Sequence, residues 1–199
     1  LWLAEKAPGT VPLCAIAGYQ RQIREAMPSL RPDLGNDLSA LRREAIRVLL
    51  ERAGEDPGLA EPAFEVFFEA RQKVIFYEDA ISTLDFLKSR YPMVALSNGN
   101  ADIQKVGLDG YFVAAFNPIN LGVGKPDPKM FHAGAQALGV LPEAILHIGD
   151  DPHLDVVAAQ RAGLQAVWLN REEKLWAHEV HPAPFTVSSL KVLCDAWPD

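Results

Sequence analysis

Residues 147–155 read HIGDDPHLD, an apolar run that stops at Gly149 and releases Asp150, Asp151 and, four positions on, Asp155. Carboxylates crowded within a few ångströms repel and raise one another's pKa, so such a cluster is either splayed into water or neutralised by a cation. Two more polar groups follow apolar runs in the same manner. MVAL ends in Ser97-Asn98-Gly99-Asn100, and GVGKPDPKMF sets Lys125 just before a helix whose N-cap is Asp127 and whose first residue is Pro128. A hydroxyl and free backbone N–H groups suit a phosphoryl oxygen, a Lys ammonium supplies positive charge, and carboxylates hold Mg²⁺, which prefers oxygen ligands and bridges to substrate phosphates. The three together have the chemistry of a phosphoryl-transfer site.

Taken singly, each piece has a plainer reading. SNGN is most often a turn, because Asn and Gly tolerate positive φ. A lone Lys is more often solvated than catalytic, one of the paired Asp residues is explained by a helix N-cap, and Asp155 on the following helix can simply face water. His147 reads as a strand histidine satisfied within the fold, since Mg²⁺ rarely takes nitrogen ligands. His153, between carboxylates, is a weaker candidate for touching substrate. Trp168 and Phe131 read as core.

The elements that must position these groups divide the chain near residue 90. Before it, apolar residues recur at helical spacing: Leu41, Ala45, Ile46, Leu49 and Leu50 share a face in SALRREAIRVLLERAG, with Gly54 as its stop. AFEVFFEARQKVIF (63–76) and EDAISTLDFLKSRYP (78–92) give two further helices, and Phe64, Phe67, Phe68 and Phe76 read as packing within this helical half. After it, short apolar runs at 93–98, 111–117, 144–149, 164–170 and 185–189 alternate with helical patterns such as PKMFHAGAQALG and DVVAAQRAG. Short runs without polar alternation are strands buried on both faces, and strand-helix repetition implies a parallel sheet. In such sheets ligands sit outside the carboxyl ends of the strands, where all three polar groups fall.

Composition narrows the partners. The 199 residues carry 49% hydrophobic residues, enough for a sizeable core, and a formal net charge of −7, which argues against nucleic acid or an anionic membrane as partner. An anionic substrate must then meet a local positive site. Cys14 and Cys194, near opposite ends, suit a reducing cytoplasm better than a disulfide framework. No apolar run approaches the ~20 residues that span a bilayer, no basic-then-apolar leader opens the chain, and the first residues are LWLAEK, without Met.

LSNGN, then GKPDPKMF, then HIGDDPHLDVVAAQRAG resembles, in order, motifs two, three and four of the haloacid dehalogenase superfamily, in the branch with a helical cap inserted after the first strand. The resemblance implies a Rossmann-like α/β core at residues 91–199, an all-helical cap at 3–90, and residues 1–2 as a remnant following the first core strand. SNGN with GDD is similar to phosphatases of flavin-pathway and nucleotide-like phosphomonoesters. The family's first motif, Asp-x-Asp-x-Thr, which supplies the nucleophile, the acid/base and a metal ligand, is not in this chain. That strand is central in the family, between the strands ending at Ser97 and Gly149, and its loss would leave two strands with bare backbone groups at ~1–3 kcal/mol each if buried. An upstream segment is therefore expected.

By resemblance the reaction is Mg²⁺-dependent hydrolysis of a small phosphorylated metabolite. An Asp of the first motif forms an aspartyl-phosphate that water then cleaves, and the protein acts as a monomer or homodimer. Ser97 and Lys125 take catalytic roles, Ser97, Asn98, Gly99 and Lys125 hold the phosphoryl group, and Asp150, Asp151 and Asp155 are assigned to the metal, Asp155 as support to the metal water or Lys125. Two Asp at the metal favour a phosphatase over a 2-haloacid dehalogenase, whose attack on carbon needs no Mg²⁺. A catalytically inactive interaction protein of the same fold is the alternative from another class. A response-regulator receiver has the same residue types in the reverse order along the chain.

Overall fold

In the computed structural model, which describes residues 2–177 and 184–197, helices form where the apolar spacing places them. Helices α1 (Trp2–Lys6), α2 (Thr10–Ala15) and α3 (Tyr19–Leu30) precede α4 (Leu38–Arg52) and α5 (Ala60–Gln72). The Asp37 side chain accepts the N–H groups of Ser39 and Ala40, both at 2.9 Å, and so starts α4. Its apolar stripe, Leu41, Ala45 and Leu49, packs on Ile23 and Met27 of α3, and Gly54 lies just past its end at φ +70°. Residues up to Val74 and the segment Gly99–Val106 make up this helical unit.

Two expectations shift at its boundary. The stretch 63–76 was expected to be helical throughout, but α5 stops at Gln72. Gln72 is the last residue with a buried face, its Oε1 accepting the Asp102 N–H at 2.8 Å, whereas Ile75 is 98% exposed and Tyr77 68%. A further turn would have nothing to pack on, and helical stability comes mainly from packing. The division also falls at Val74/Ile75, not near residue 90. Helix α6 (Ala80–Lys88) belongs with the sheet because it buries Thr83 and Leu87 there, with Thr83 Oγ1 meeting Cys194 Sγ at 3.5 Å.

The second unit, Ile75–Asn98 with the chain from Gly107 onward, carries all five expected strands. These are β1 (Val94–Leu96), β2 (Ala114–Phe116), β3 (Leu146–Gly149), β4 (Gln165–Leu169) and β5 (Phe185–Val187), and every pairing is parallel. Between them run α7 (Pro118–Leu121), α8 (Pro128–Leu138), a π-helical turn (Pro152–Val157) continuing into α9 (Ala158–Arg161), and, last, α10 (Leu190–Asp195). Phe131 of α8 packs with Ala158, Ala159 and Leu164, and Trp168 is 2% exposed, so both are core as expected.

Two separate ladders result, β1-β2 and β3-β4-β5. Among the described residues β1 has no partner beyond β2, and β3 none beyond β4. A cavity of about 940 Å³ is lined by both β1 and β3. The expectation of strands buried on both faces therefore holds for Val167 and Trp168 of β4 but not for β1 or β3, whose residues are half-buried, with Leu146 at 36% exposure. Each presents an open edge to the cavity. The architecture is an α/β Rossmann-like parallel sheet with an all-helical unit.

Candidate active site

The carboxyl ends of β1 and β3 gather most of the predicted residues. Lys125 leaves the loop before α8, and its ammonium donates to Asp155 Oδ1 at 2.5 Å. His147 Nε2 reaches the same oxygen at 3.2 Å, while Oδ2 accepts the Asp151 N–H at 3.1 Å. Asp155 is 4% exposed. Burial alone would raise its pKa, but the His147 hydrogen bond and the Lys125 charge outweigh it and hold the carboxyl well below the usual carboxylate range.

This contact is the support of Lys125 that was one of the two roles expected of Asp155, and it differs from three carboxylates gathered on one metal. Among the described residues no three His, Cys, Asp or Glu side chains converge as a metal-binding group. Asp155 is neutralised by Lys125, 30 positions away, and both of its oxygens are engaged. Asp151 caps the helix that follows, its Oδ1 accepting the N–H groups of His153 and Leu154 at 2.8 and 2.7 Å. Only Asp150 presents a carboxylate with no hydrogen-bond or ion-pair partner among the described residues. It is exposed at the end of β3, with its own carbonyl accepting the Trp168 Nε1–H at 3.0 Å.

The π-helical turn explains the placement. Both Asp155 N and Val156 N donate to the Asp151 carbonyl, at 3.0 and 3.2 Å, which widens the first turn and swings Asp155 back beneath β3. Gly149 permits the approach: a Cβ there would stand 2.4 Å from Asp155 Cβ and Cγ. His147 and Gly149 lie two apart on one strand and so share a face, which is why one carboxylate meets both.

Asn98 acts through its side chain. Its Oδ1 accepts the Lys125 N–H and its Nδ2 donates to the Lys125 carbonyl, both at 2.7 Å, locking the lysine loop to the end of β1. Gly124 allows this, since a Cβ on it would meet Asn98 Oδ1 at 2.7 Å. Ser97 is exposed immediately past β1, its N–H donating to the Phe116 carbonyl at 3.0 Å. Gly99 falls with the Gly99–Val106 segment of the helical unit. His153 is exposed, and its backbone N–H donates to Asp151 Oδ1. Lys125, Asp150 and Asp155 line the same cavity between β1 and β3. His147 is a strand histidine satisfied within the fold, as expected, with Asp155 as its partner, while the Asn98 side chain and the two glycines are the site features that sequence reasoning missed, the His147/Gly149 parity being the available signal for Gly149.

An ammonium held at one strand end beside an open carboxylate at another can grip an anion and the cation that accompanies it. The chain is 32% identical over 177 residues, 86% of its length, to a phosphoserine phosphatase of Thermus thermophilus. It is 31% identical over 156 residues to a 5-amino-6-(5-phospho-D-ribitylamino)uracil phosphatase of Escherichia coli, 76% of this chain. It covers 63% and 66% of these relatives, less than two thirds of their lengths. The crystal structure of a 2-haloacid dehalogenase from Pseudomonas syringae pv. tomato superposes with TM-score 0.84 at 34% identity, covering 98% of this chain and 85% of that one. Residues 14–163 match the model of the haloacid dehalogenase-like hydrolases, with the lysine, the Asn98 lock and the acidic strand end all inside or bordering the matched span, and the chain belongs to that hydrolase family.

Proposed function

We propose that the protein hydrolyses a phosphomonoester of a small metabolite in the cytoplasm, with Mg²⁺. The observation that carries this reading is the Lys125–Asp155 pair lining one cavity together with the exposed Asp150. Asp155 and the Asn98 side chain hold Lys125, so its ammonium is fixed where a phosphoryl oxygen arrives, and fixed donors need no reorganisation during reaction. Ser97 Oγ and the backbone N–H groups after it serve the remaining oxygens. Asp150 fits a hard cation, being an exposed carboxylate without a protein partner, and Mg²⁺ held there would neutralise charge on the phosphoryl group. Asp151 supports it by ordering the turn, not by a free carboxylate.

The nucleophile in this proposal is an Asp on an extended segment seated between β1 and β3. The two open strand edges support this, because unpaired backbone groups at a buried edge are costly and a parallel strand satisfies both sides at once. Relatives named as phosphatases of phosphoserine and of a phosphorylated ribitylaminouracil support the substrate class. The likeness to the structure of a 2-haloacid dehalogenase supports a second reading, halide release from a 2-haloacid.

A panel of phosphomonoesters and 2-haloacids, assayed with Mg²⁺ and with EDTA, separates the two. Phosphate release abolished by EDTA is expected. Lys125→Ala and Ser97→Ala should each lower kcat/KM by ~10²-fold or more. Halide release indifferent to EDTA, or wild-type rates in both variants, would overturn the proposal.

A further inference from the structure

The helical unit carries a second concentration of positive charge. Arg24 of α3 and Arg42 of α4 directly follow Ile23 and Leu41, which are buried in one cluster, so both arginines emerge at its rim. The Arg42 guanidinium lies over the Phe67 ring, 4.5 Å from its centroid, and Arg71 stands one turn beyond Phe67 on the same face of α5.

Among the described residues none of Arg24, Arg42 and Arg71 has a carboxylate at ion-pair distance. In the same unit Lys6, Arg31, Arg43, Arg47 and Lys105 each do, whereas Arg21, Arg52 and Lys73 do not. A chain with 26 acidic and 19 basic residues does not lack partners for them. Burial, with the charges of Arg24 and Arg71, pulls the Arg42 pKa below its ordinary value.

The scaffold beneath is braced. Asn100 Nδ2 donates to Ser39 Oγ at 3.1 Å in the first turn of α4, and Asp102 N donates to Gln72 Oε1 at 2.8 Å at the end of α5. Asp102 Oδ1 accepts the N–H groups of Gln104 and Lys105. Three like charges held on three packed helices, one of them backed by an aromatic face, cost stability while empty. They match the planar, bidentate acceptors of a carboxylate or phosphate.

We propose that Arg24, Arg42 and Arg71 form an anion-binding site on the helical unit for the carboxylate or phosphate group of a small molecule. This site goes beyond the phosphoryl chemistry of Lys125 and stands without it.

The test is thermal melting and calorimetric titration of the whole protein with citrate and with inorganic phosphate, against chloride at equal ionic strength. Both are repeated in a Lys125→Ala background, so that a response surviving there belongs to the arginines. At about ten times Kd either anion should raise Tm by roughly 3–6 °C beyond chloride. Arg42→Gln and Arg71→Gln should lose most of that rise, while Arg21→Gln, elsewhere on α3, should keep it. Without anion, Arg24→Gln should melt at or above the parent, because a repulsion has been removed. An anion response absent in the parent, or equal in all four variants, would overturn the site.

Discussion

Asp155 is the residue on which the site turns, because one carboxylate serves a lysine, a histidine and a backbone N–H with its side chain 5% exposed. Replacing it by Asn leaves the Lys125 charge buried without its counter-ion, which costs roughly 3–5 kcal/mol at neutral pH. The pH dependence has a definite sign. A carboxyl whose folded pKa lies below its ordinary value of 3.8 stabilises the fold fully above that value, and the contribution is lost as pH falls through it toward the folded pKa. The stability gap between parent and Asp155→Asn, measured by urea denaturation, should therefore be at its full size near pH 5 and shrink steadily toward pH ~2.5. A gap that widens on acidification would show that Asp155 is not held as the anion.

At the scale of elements, β3 and the π-helical turn are fitted to each other through a missing side chain. Gly149→Ala would put a methyl 2.4 Å from Asp155 Cβ, closer than any packed contact, so either the end of β3 or the Asp155–Lys125 pair must move. A destabilisation of about 1–3 kcal/mol is expected, with loss of activity. Gly134 in α8 is buried where Gly149 is only half-buried, yet a Cβ on Gly134 meets Leu96 Cδ2 at an ordinary 3.6 Å. Gly134→Ala should stabilise by ~0.5–1 kcal/mol, because Gly in a helix interior carries an entropic cost that Ala does not. Chemical denaturation of the two variants should give opposite signs; equal signs would contradict the geometry of the β3 end.

For the molecule as a whole, the two ladders bordering one cavity set the expectation. Their exposed edges are the places where a further parallel strand adds hydrogen bonds without disturbing those already made. Alternate amides of β1 and β3 should exchange rapidly with solvent in the 199-residue chain. They should become protected when a strand bearing Asp-x-Asp-x-Thr is supplied, in cis or as a peptide, with a gain in stability of a few kcal/mol from the newly paired groups. Hydrogen exchange followed by mass spectrometry reads both. Exchange in β1 and β3 that the added strand leaves unchanged would remove the slot from the proposal.

What the sequence by itself determined are the features written in local periodicity and local hydrogen bonding. The five strands, the Asp127 cap and Pro128 start of α8, and the stop of α4 at Gly54 depend on residues a few positions apart, and short-range sterics decide them. The placement of Ser97 and Asp150 just past strand ends was legible for the same reason, and that of Lys125 just before α8 followed from the Asp127-Pro128 start. The tertiary structure alone decided what those residues meet. Lys125 and Asp155 are 30 positions apart and Asn98 and Lys125 are 27, distances over which spacing says nothing about who neutralises whom. The sharing of α6 with the sheet, the end of α5 at Gln72 and the gathering of Arg24, Arg42 and Arg71 were settled in the same way, because each follows from which surfaces pack, and packing is a property of the folded chain rather than of any window along it.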